Sequence, residues 1–128
     1  MPASTPFPHE WLEDDPDHPV PKVHNLDVQK VKLGGGSDLY LVVASPLGGE
    51  ERDLQRLMEK LENYLTFLQS PKCIAEAGFA TRESTRVVAK VHPESSALVF
   101  ELLRRNAPWV ANKGATLLVE PLENQTTQ

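Results

Sequence analysis

The fold is decided by the stretch LQRLMEKLENYLTFLQS, residues 54–70. Acidic residues just before it complement the positive end of a helix dipole, and Pro71 makes Ser70 a boundary. The pattern predicts a helix of about 20 residues, about 30 Å long. We expect its apolar stripe to pack on a sheet; a partner groove or a coiled-coil seam is the alternative, although a coiled coil needs more heptads than this helix holds. The apolar residues recur at steps of three residues and one, as they do along one side of an α-helix: Leu54, Leu57, Met58, Leu61, Tyr64, Leu65 and Leu68.

Strand-like segments precede this helix. The runs DVQKVKL (27–33) and LYLVVASPL (39–47) are joined by GGGSD (34–38), which predicts a hairpin with a glycine-rich turn. The second run is continuously apolar from Leu39 to Ala44, as expected for a central strand covered on both faces.

The second half of the chain repeats the alternation of strand and helix. Residues 71–84 look irregular, and TRVVAKVH (85–92) alternates as a half-buried strand does. Residues 94–106 predict a second helix, which Pro108 either kinks or follows with a new turn. TLLVEPL (116–122) is the last predicted strand.

The predicted order is therefore β-β-α-β-α-β, an α+β fold. Right-handed crossovers place both helices on one face of a four-stranded mixed sheet if the strands are added in one direction. The other face of this two-layer sandwich would then show residues such as Val88 and Leu118 to solvent. Such a face usually acquires a cover, and the candidates are the Phe7–Trp11 segment or a second copy of the chain.

Three segments differ in composition: an N-terminal arm at 1–25, a single α+β domain at 26–122 and a polar tail at 123–128. Six of the 11 prolines lie in residues 1–21, so the arm cannot form a long regular helix or strand. The aromatic residues Phe7 and Trp11 leave two alternatives open. The arm is either a disordered leader or a segment that docks on the domain or on a second subunit.

The charge is concentrated in the arm and its junction with the domain. Residues 1–27 hold six acidic groups against Lys22 alone, a net charge of −5, whereas the remaining residues hold 12 basic and 12 acidic groups. Nucleic-acid binding needs clustered Lys and Arg, so we expect none. We expect no membrane association either, because no apolar run is long enough to cross a bilayer. The lack of a signal sequence and the single cysteine, Cys73, favour a cytoplasmic protein.

The helical stretch resembles the signature helix of a family of small bacterial domains of unknown function. The resemblance covers about residues 27–122 and includes HPESSALVFELL as the second helix. It departs at Glu62, which separates Leu61 from Asn63, and around Glu76–Phe79, where the family has tyrosine-proline. The resemblance implies the fold and a bacterial origin, but no catalytic residue. The signature positions are Leu54, Leu57, Lys60, Leu61, Asn63, Tyr64, Leu65 and Phe67.

No motif indicates catalysis, a cofactor or a metal. The GGGSD turn lacks the lysine of a phosphate loop, and the four histidines form no close pair with metal-ligand spacing. Glu59 and Glu62 have Arg56 and Lys60 nearby, so we expect solvated charges on an exposed helix face. The candidate interaction or pocket residues are Phe7, Trp11, Asn63, Tyr64, Arg86 and Trp109.

These observations favour a non-enzymatic domain that binds another protein or forms a homodimer. One alternative is an immunity or regulatory protein whose acidic arm engages a basic partner. Another is a small-ligand-binding domain with a site near Tyr64, Arg86 and Trp109.

Overall fold

The computed structural model describes residues 9–78 and 80–122, so the predictions for Phe7 and the polar tail lie outside the described residues. Four strands form one sheet in the order β1-β2-β3-β4, with β1 antiparallel to β2 and the other two pairs parallel. This confirms the predicted four-stranded mixed sheet of an α+β fold. The strands are β1 (Val28–Val31), β2 (Ser37–Val43), β3 (Thr85–Val91) and β4 (Thr116–Pro121).

Helices make the crossovers between the parallel strands. Both crossovers step in the same direction along the sheet, so right-handed connections place the helices on one face. The described helices are α1 (Glu51–Leu68), α2 (Pro71–Ala77), α3 (Ala97–Arg105) and α4 (Ala107–Asn112), and a 3-10 turn covers His9–Leu12.

The long helix α1 packs as its periodicity predicts. Leu57, Leu61 and Tyr64 are completely buried, and Leu65 is 2% exposed. They share one core with the helix-facing side chains of the central strands, which are also completely buried because α1 covers them: Leu39, Leu41, Val43, Val87, Ala89 and Val91.

The connection after α1 corrects one prediction. Residues 71–84 were expected to be irregular, but α2 forms at their start. Pro71 occupies a first-turn position, where its missing N–H costs nothing, and the Ser70 hydroxyl accepts a hydrogen bond from the Cys73 N–H at 3.2 Å. The short helix then buries Cys73 and Ala77 in the core.

The glycine-rich turn between β1 and β2 is a hairpin connection, as predicted. Gly34, Gly35 and Gly36 all adopt positive φ, which only glycine adopts without strain. At Gly36 there is a second constraint, because a Cβ atom would overlap the carbonyl oxygen of Ser84.

Candidate interaction surface

The face of the sheet away from the helices, here called the open face, carries one apolar row across all four strands. Strand register aligns Val28, Tyr40, Val88 and Leu118 side by side. The prediction that Val88 is solvent-exposed is wrong, because this side chain is only 3% exposed. Arg86 and Lys90, two residues before and after it on the same strand, point to the same face, and Val88 lies between Tyr40 and Leu118 of the neighbouring strands.

Charged pairs flank this apolar row. Arg86 donates two hydrogen bonds to the Asp38 carboxylate, at 3.0 and 2.7 Å, and Lys32 Nζ lies 3.2 Å from the same group. The hydrogen bonds from Arg86 hold the pKa of Asp38 below its usual value. On the other side of the row, Lys90 Nζ lies 3.0 Å from Glu120. The open face therefore has an apolar centre flanked by ion pairs, whose three cations and two anions sum to a charge of +1.

Apolar surface continues around the edge strand β4. Every residue of Thr116–Glu120 is half-buried, in contrast with the helix-facing side chains of β2 and β3, which are completely buried. Leu117 and Val119 point toward the helices, yet α3 and α4 cover them only in part. A groove of about 570 Å³, here called the β4 groove, runs along this edge and is lined by Phe100, Arg104, Ala107, Leu117, Leu118, Val119 and Pro121.

The opposite edge of the sheet has a different character. Strand β1 has only four residues, including Gln29 and Lys30. Val28 is 48% exposed there. A short strand that carries a lysine is one of the ways in which proteins discourage edge pairing. Val31 is also 46% exposed there, and Leu33 in the following turn is fully exposed. The two edges therefore differ: β1 is short and polar with exposed single apolar residues, whereas the half-buried apolar residues of β4 border a groove.

The arm does not cover the open face in the part that the structure describes. Residues 9–25 lie against α1, on the helix side of the sheet, and Val20 and Val23 belong to the core. Arg56 of α1 is completely buried and donates hydrogen bonds to four arm carbonyls: Trp11 O, Glu13 O, Val20 O and Pro21 O. Of the two alternatives for the arm, this segment follows the docked one.

Other polar contacts join the arm to the same helix. Lys60, 1% exposed, donates to the Lys22 carbonyl and the Asp27 carboxylate at 2.9 and 2.8 Å. Arg52 donates to Asp15 at 2.7 Å. The expectation that Arg56 and Lys60 are the partners of Glu59 and Glu62 on a solvated helix face is therefore wrong for the two basic residues, because the arm covers them and supplies their acceptors.

A buried histidine completes the attachment. The His18 Nδ1 accepts a hydrogen bond from the Val20 N–H at 2.9 Å, which places the ring proton on Nε2. The Nε2–H then donates to the Asp53 carboxylate at 2.8 Å. Asp53 also accepts from the Glu50 N–H at the start of α1. One aspartate thus links the arm to the helix terminus.

Asn63 and Tyr64 hold the junction between the arm and the sheet. Asn63 donates to the Val23 carbonyl at 2.9 Å. The buried Tyr64 hydroxyl donates to the Tyr40 carbonyl at 2.8 Å and accepts from the Asp27 N–H at 2.9 Å. Burial, the main cause, raises the pKa of Tyr64 well above its usual value. Both side chains have structural partners and line no ligand site with Arg86.

The candidate residues Tyr64, Arg86 and Trp109 occupy three separate environments. Tyr64 is in the core, Arg86 is on the open face, and Trp109 lines a pocket of about 450 Å³ between the end of α1 and α4. That pocket contains neither of the other two residues. Trp11 contributes its backbone carbonyl to the Arg56 site, and its side chain is half-buried.

The described ranges, 9–78 and 80–122, contain neither a metal-binding cluster nor a membrane-spanning helix. No group of three or more His, Cys, Asp or Glu side chains converges there, and no helix there has the length and apolar character needed to cross a bilayer. Burial, together with the nearby Glu76, raises the pKa of the Cys73 thiol, which disfavours its reactive thiolate form.

The described residues define a small α+β domain with a docked N-terminal arm and half-buried apolar residues along β4. No protein-family model, curated protein or solved structure matches the chain. The resemblance to a family of bacterial domains stays a prediction.

Proposed function

We propose that this chain is a non-enzymatic protein-interaction domain that self-associates through the β4 side of its sheet. The observation that carries the proposal is the incomplete cover of β4. Leu118 on the open face and Leu117 and Val119 on the helix side are all half-buried, beside the groove that contains Phe100. Apolar surface that continues over both sides of a strand edge is typical of a protein contact.

The polar groups elsewhere in the molecule support this assignment, because they already have hydrogen-bond partners. Within the described residues, no buried side-chain nitrogen or oxygen lacks a hydrogen-bond partner. The polar groups that could have formed a reactive site, such as Tyr64, Arg56 and Lys60, instead hold the arm and the sheet together. The surface available to a partner is therefore apolar rather than catalytic.

Light scattering coupled to size exclusion, over a wide range of concentrations, tests the proposal. We expect a mass that approaches twice the chain mass of 14.2 kDa. Leu118→Lys should shift the equilibrium to monomer, because association would bury an unpaired ammonium group. Leu98→Lys is the matched control, since Leu98 is 50% exposed on α3. A wild-type chain that is monomeric at every concentration, or equal effects of the two variants, would contradict the proposal.

The acidic arm supports a second candidate, a regulatory protein that binds a basic partner. A groove between the arm and α1 is lined by Leu12, Glu13, Asp14, His24 and Glu59. Its carboxylates would attract cationic side chains, and the attraction would weaken with salt. This candidate has less support, because the acidic groups of Asp15 and Asp27 are already bonded to Arg52 and Lys60. Binding of a basic protein that does not weaken at high salt would count against it.

A further inference from the structure

The backbone of β4 shows which of its groups are free to bond. The Leu122 N–H, just after the strand, donates to the Val91 carbonyl of β3 at 2.8 Å. Because successive residues of a strand point their N–H and C=O groups to opposite sides, Leu118 and Glu120 also face β3. Leu117, Val119 and Pro121 therefore face the outer edge, where β4 has no strand neighbour within residues 9–78 and 80–122.

Among the described residues, two backbone N–H groups on this outer edge have no hydrogen-bond partner. Pro121 has no N–H, which suits a residue that faces the outside of an edge strand. The Ala115 N–H, at the other end, already bonds to the Val110 carbonyl at 3.3 Å. The N–H groups of Leu117 and Val119 are thus the donors that β4 offers to an added strand.

We propose that a second copy of this chain supplies that strand: two β4 strands pair antiparallel, with the two-fold axis passing between the two Leu118 residues. The inference rests on the proposed self-association and specifies its geometry. Leu117 of each copy lies opposite Val119 of the other, so both free donors of each chain find a carbonyl and four inter-chain hydrogen bonds form. The two sheets become one sheet of eight strands.

Side chains favour this register over its neighbours. It places Leu118 opposite Leu118 on the open face, and Leu117 opposite Val119 on the helix side, so apolar residues meet on both faces. The flanking pair is Thr116 with Glu120, which brings no like charges together; within each chain the Thr116 hydroxyl donates to the Arg82 carbonyl and Glu120 pairs with Lys90. A shift of two residues would place Leu118 opposite Thr116 or Glu120 instead. The self-complementarity of this short segment is what identifies a second copy as the partner.

The helix side of the edge agrees with the same partner. Phe100 of α3 borders the β4 groove beside Leu117 and Val119. A two-fold axis at Leu118 would bring the two grooves together, so that each copy covers the apolar side chains the other leaves half-buried. Such an isologous contact closes after two copies.

Engineered cysteines test the register. The Cα atoms of a non-hydrogen-bonded antiparallel pair lie about 4.5 Å apart, within the roughly 4.4–6.8 Å that a disulfide spans. Leu118→Cys should therefore form a disulfide-linked dimer at least about tenfold faster than Leu98→Cys, because association raises the effective concentration of the paired thiols. The wild-type chain is a further control, since its one cysteine, Cys73, is buried.

Mixing two variants makes the test stricter. Thr116→Cys and Glu120→Cys should cross-link with each other and not with themselves, because the axis pairs residue 116 with residue 120. Cross-linking within one variant alone would indicate a different register and overturn the proposal.

Hydrogen exchange on the wild-type chain gives a readout that needs no substitution. Protection of the Leu117 and Val119 amides should rise with protein concentration, while protection of the Leu118 and Glu120 amides, which bond to β3, should change less. If light scattering shows a dimer but these amides and the Leu118→Cys variant do not respond, the β4 pairing is wrong and self-association stands. If the chain is monomeric throughout, both fail.

Discussion

Replacing Arg56 by methionine is the sharpest test of how the arm is held. The guanidinium is completely buried and makes five hydrogen bonds to four arm carbonyls. Each hydrogen bond to a charged group contributes about 1.5–3 kcal/mol in mutational series. Their sum overstates the effect, because the arm can detach and hydrate its carbonyls once the donor is gone. We therefore expect a loss of about 3–5 kcal/mol in the free energy of unfolding, as for other broken buried networks.

Arg52→Met is the matched control on the same helix. Arg52 makes one hydrogen bond to an arm residue, the Asp15 carboxylate, and its side chain is 37% exposed. Half-exposed ion pairs of this kind contribute about 0–1 kcal/mol. The two variants remove the same charge and keep a similar aliphatic stem, so the difference between them isolates the buried carbonyl contacts.

Urea unfolding measures both variants. If the arm detaches in the native state of Arg56→Met, less surface is exposed on unfolding and the denaturant slope should fall with the stability. Trp11 fluorescence in a Trp109→Phe background reports the arm directly. An Arg56→Met protein within about 1 kcal/mol of Arg52→Met, with an unchanged slope, would refute the view that this guanidinium holds the arm.

Three further predictions concern the sheet and its turn. Tyr64→Phe should lower the free energy of unfolding by about 1–3 kcal/mol, because two backbone groups lose their partner. The folded-state pKa of Tyr64 is raised, so the stability of the wild-type chain should fall as the pH rises above about 10. Urea midpoints of the wild-type chain and the variant, compared across this pH range, measure that loss. Gly36→Ala should cost more than about 1 kcal/mol, with Gly35→Ala as a control that has positive φ but no overlap; equal thermal shifts would contradict the steric account. The bond to Arg86 lowers the folded-state pKa of Asp38. This carboxylate should therefore stabilise the fold above about pH 4, and its contribution should be lost as the pH falls below that value. In Asp38→Asn, the free energy of unfolding should lack this acid-dependent loss.

The fold could be predicted because its main elements carry strong local periodicity. The spacing of Leu57, Leu61 and Leu65 sets one side of α1 against the sheet, and the apolar run of β2 marks a central strand. The predicted cover of β2 is complete on its helix side only, since Tyr40 and Val42 on the open face are half-buried. Two continuous strand–helix–strand units then follow, and their common handedness gives the sheet order. Short elements are harder to predict from sequence. The helix α2 is only seven residues long. Its start is marked by Ser70 and Pro71, but the residues after them have no helical pattern that would support the prediction.

The docked arm could not be predicted with the same strength because its bonds are made through tertiary contacts. A buried arginine and a solvated arginine look alike in sequence when the acceptors are backbone carbonyls of a distant, proline-rich segment. A signal was present nonetheless. Arg52, Arg56, Lys60 and Asn63 recur at steps of four, four and three residues, which places them in a polar stripe along one side of α1. An acidic arm elsewhere in the chain is a natural partner for such a stripe.

The charge distribution has a different meaning once the arm is placed. A segment of net charge −5 beside a neutral domain suggests a surface for a basic partner, but the basic groups that face it belong to the same chain. Asp15 accepts a hydrogen bond from Arg52, and Asp27 accepts one from Lys60. The arm residue His18 donates to Asp53 of α1. The arm thereby covers one side of α1 and removes it from the surfaces available to another protein. The proposed association surface, the β4 edge, lies outside the side of α1 that these intramolecular bonds cover.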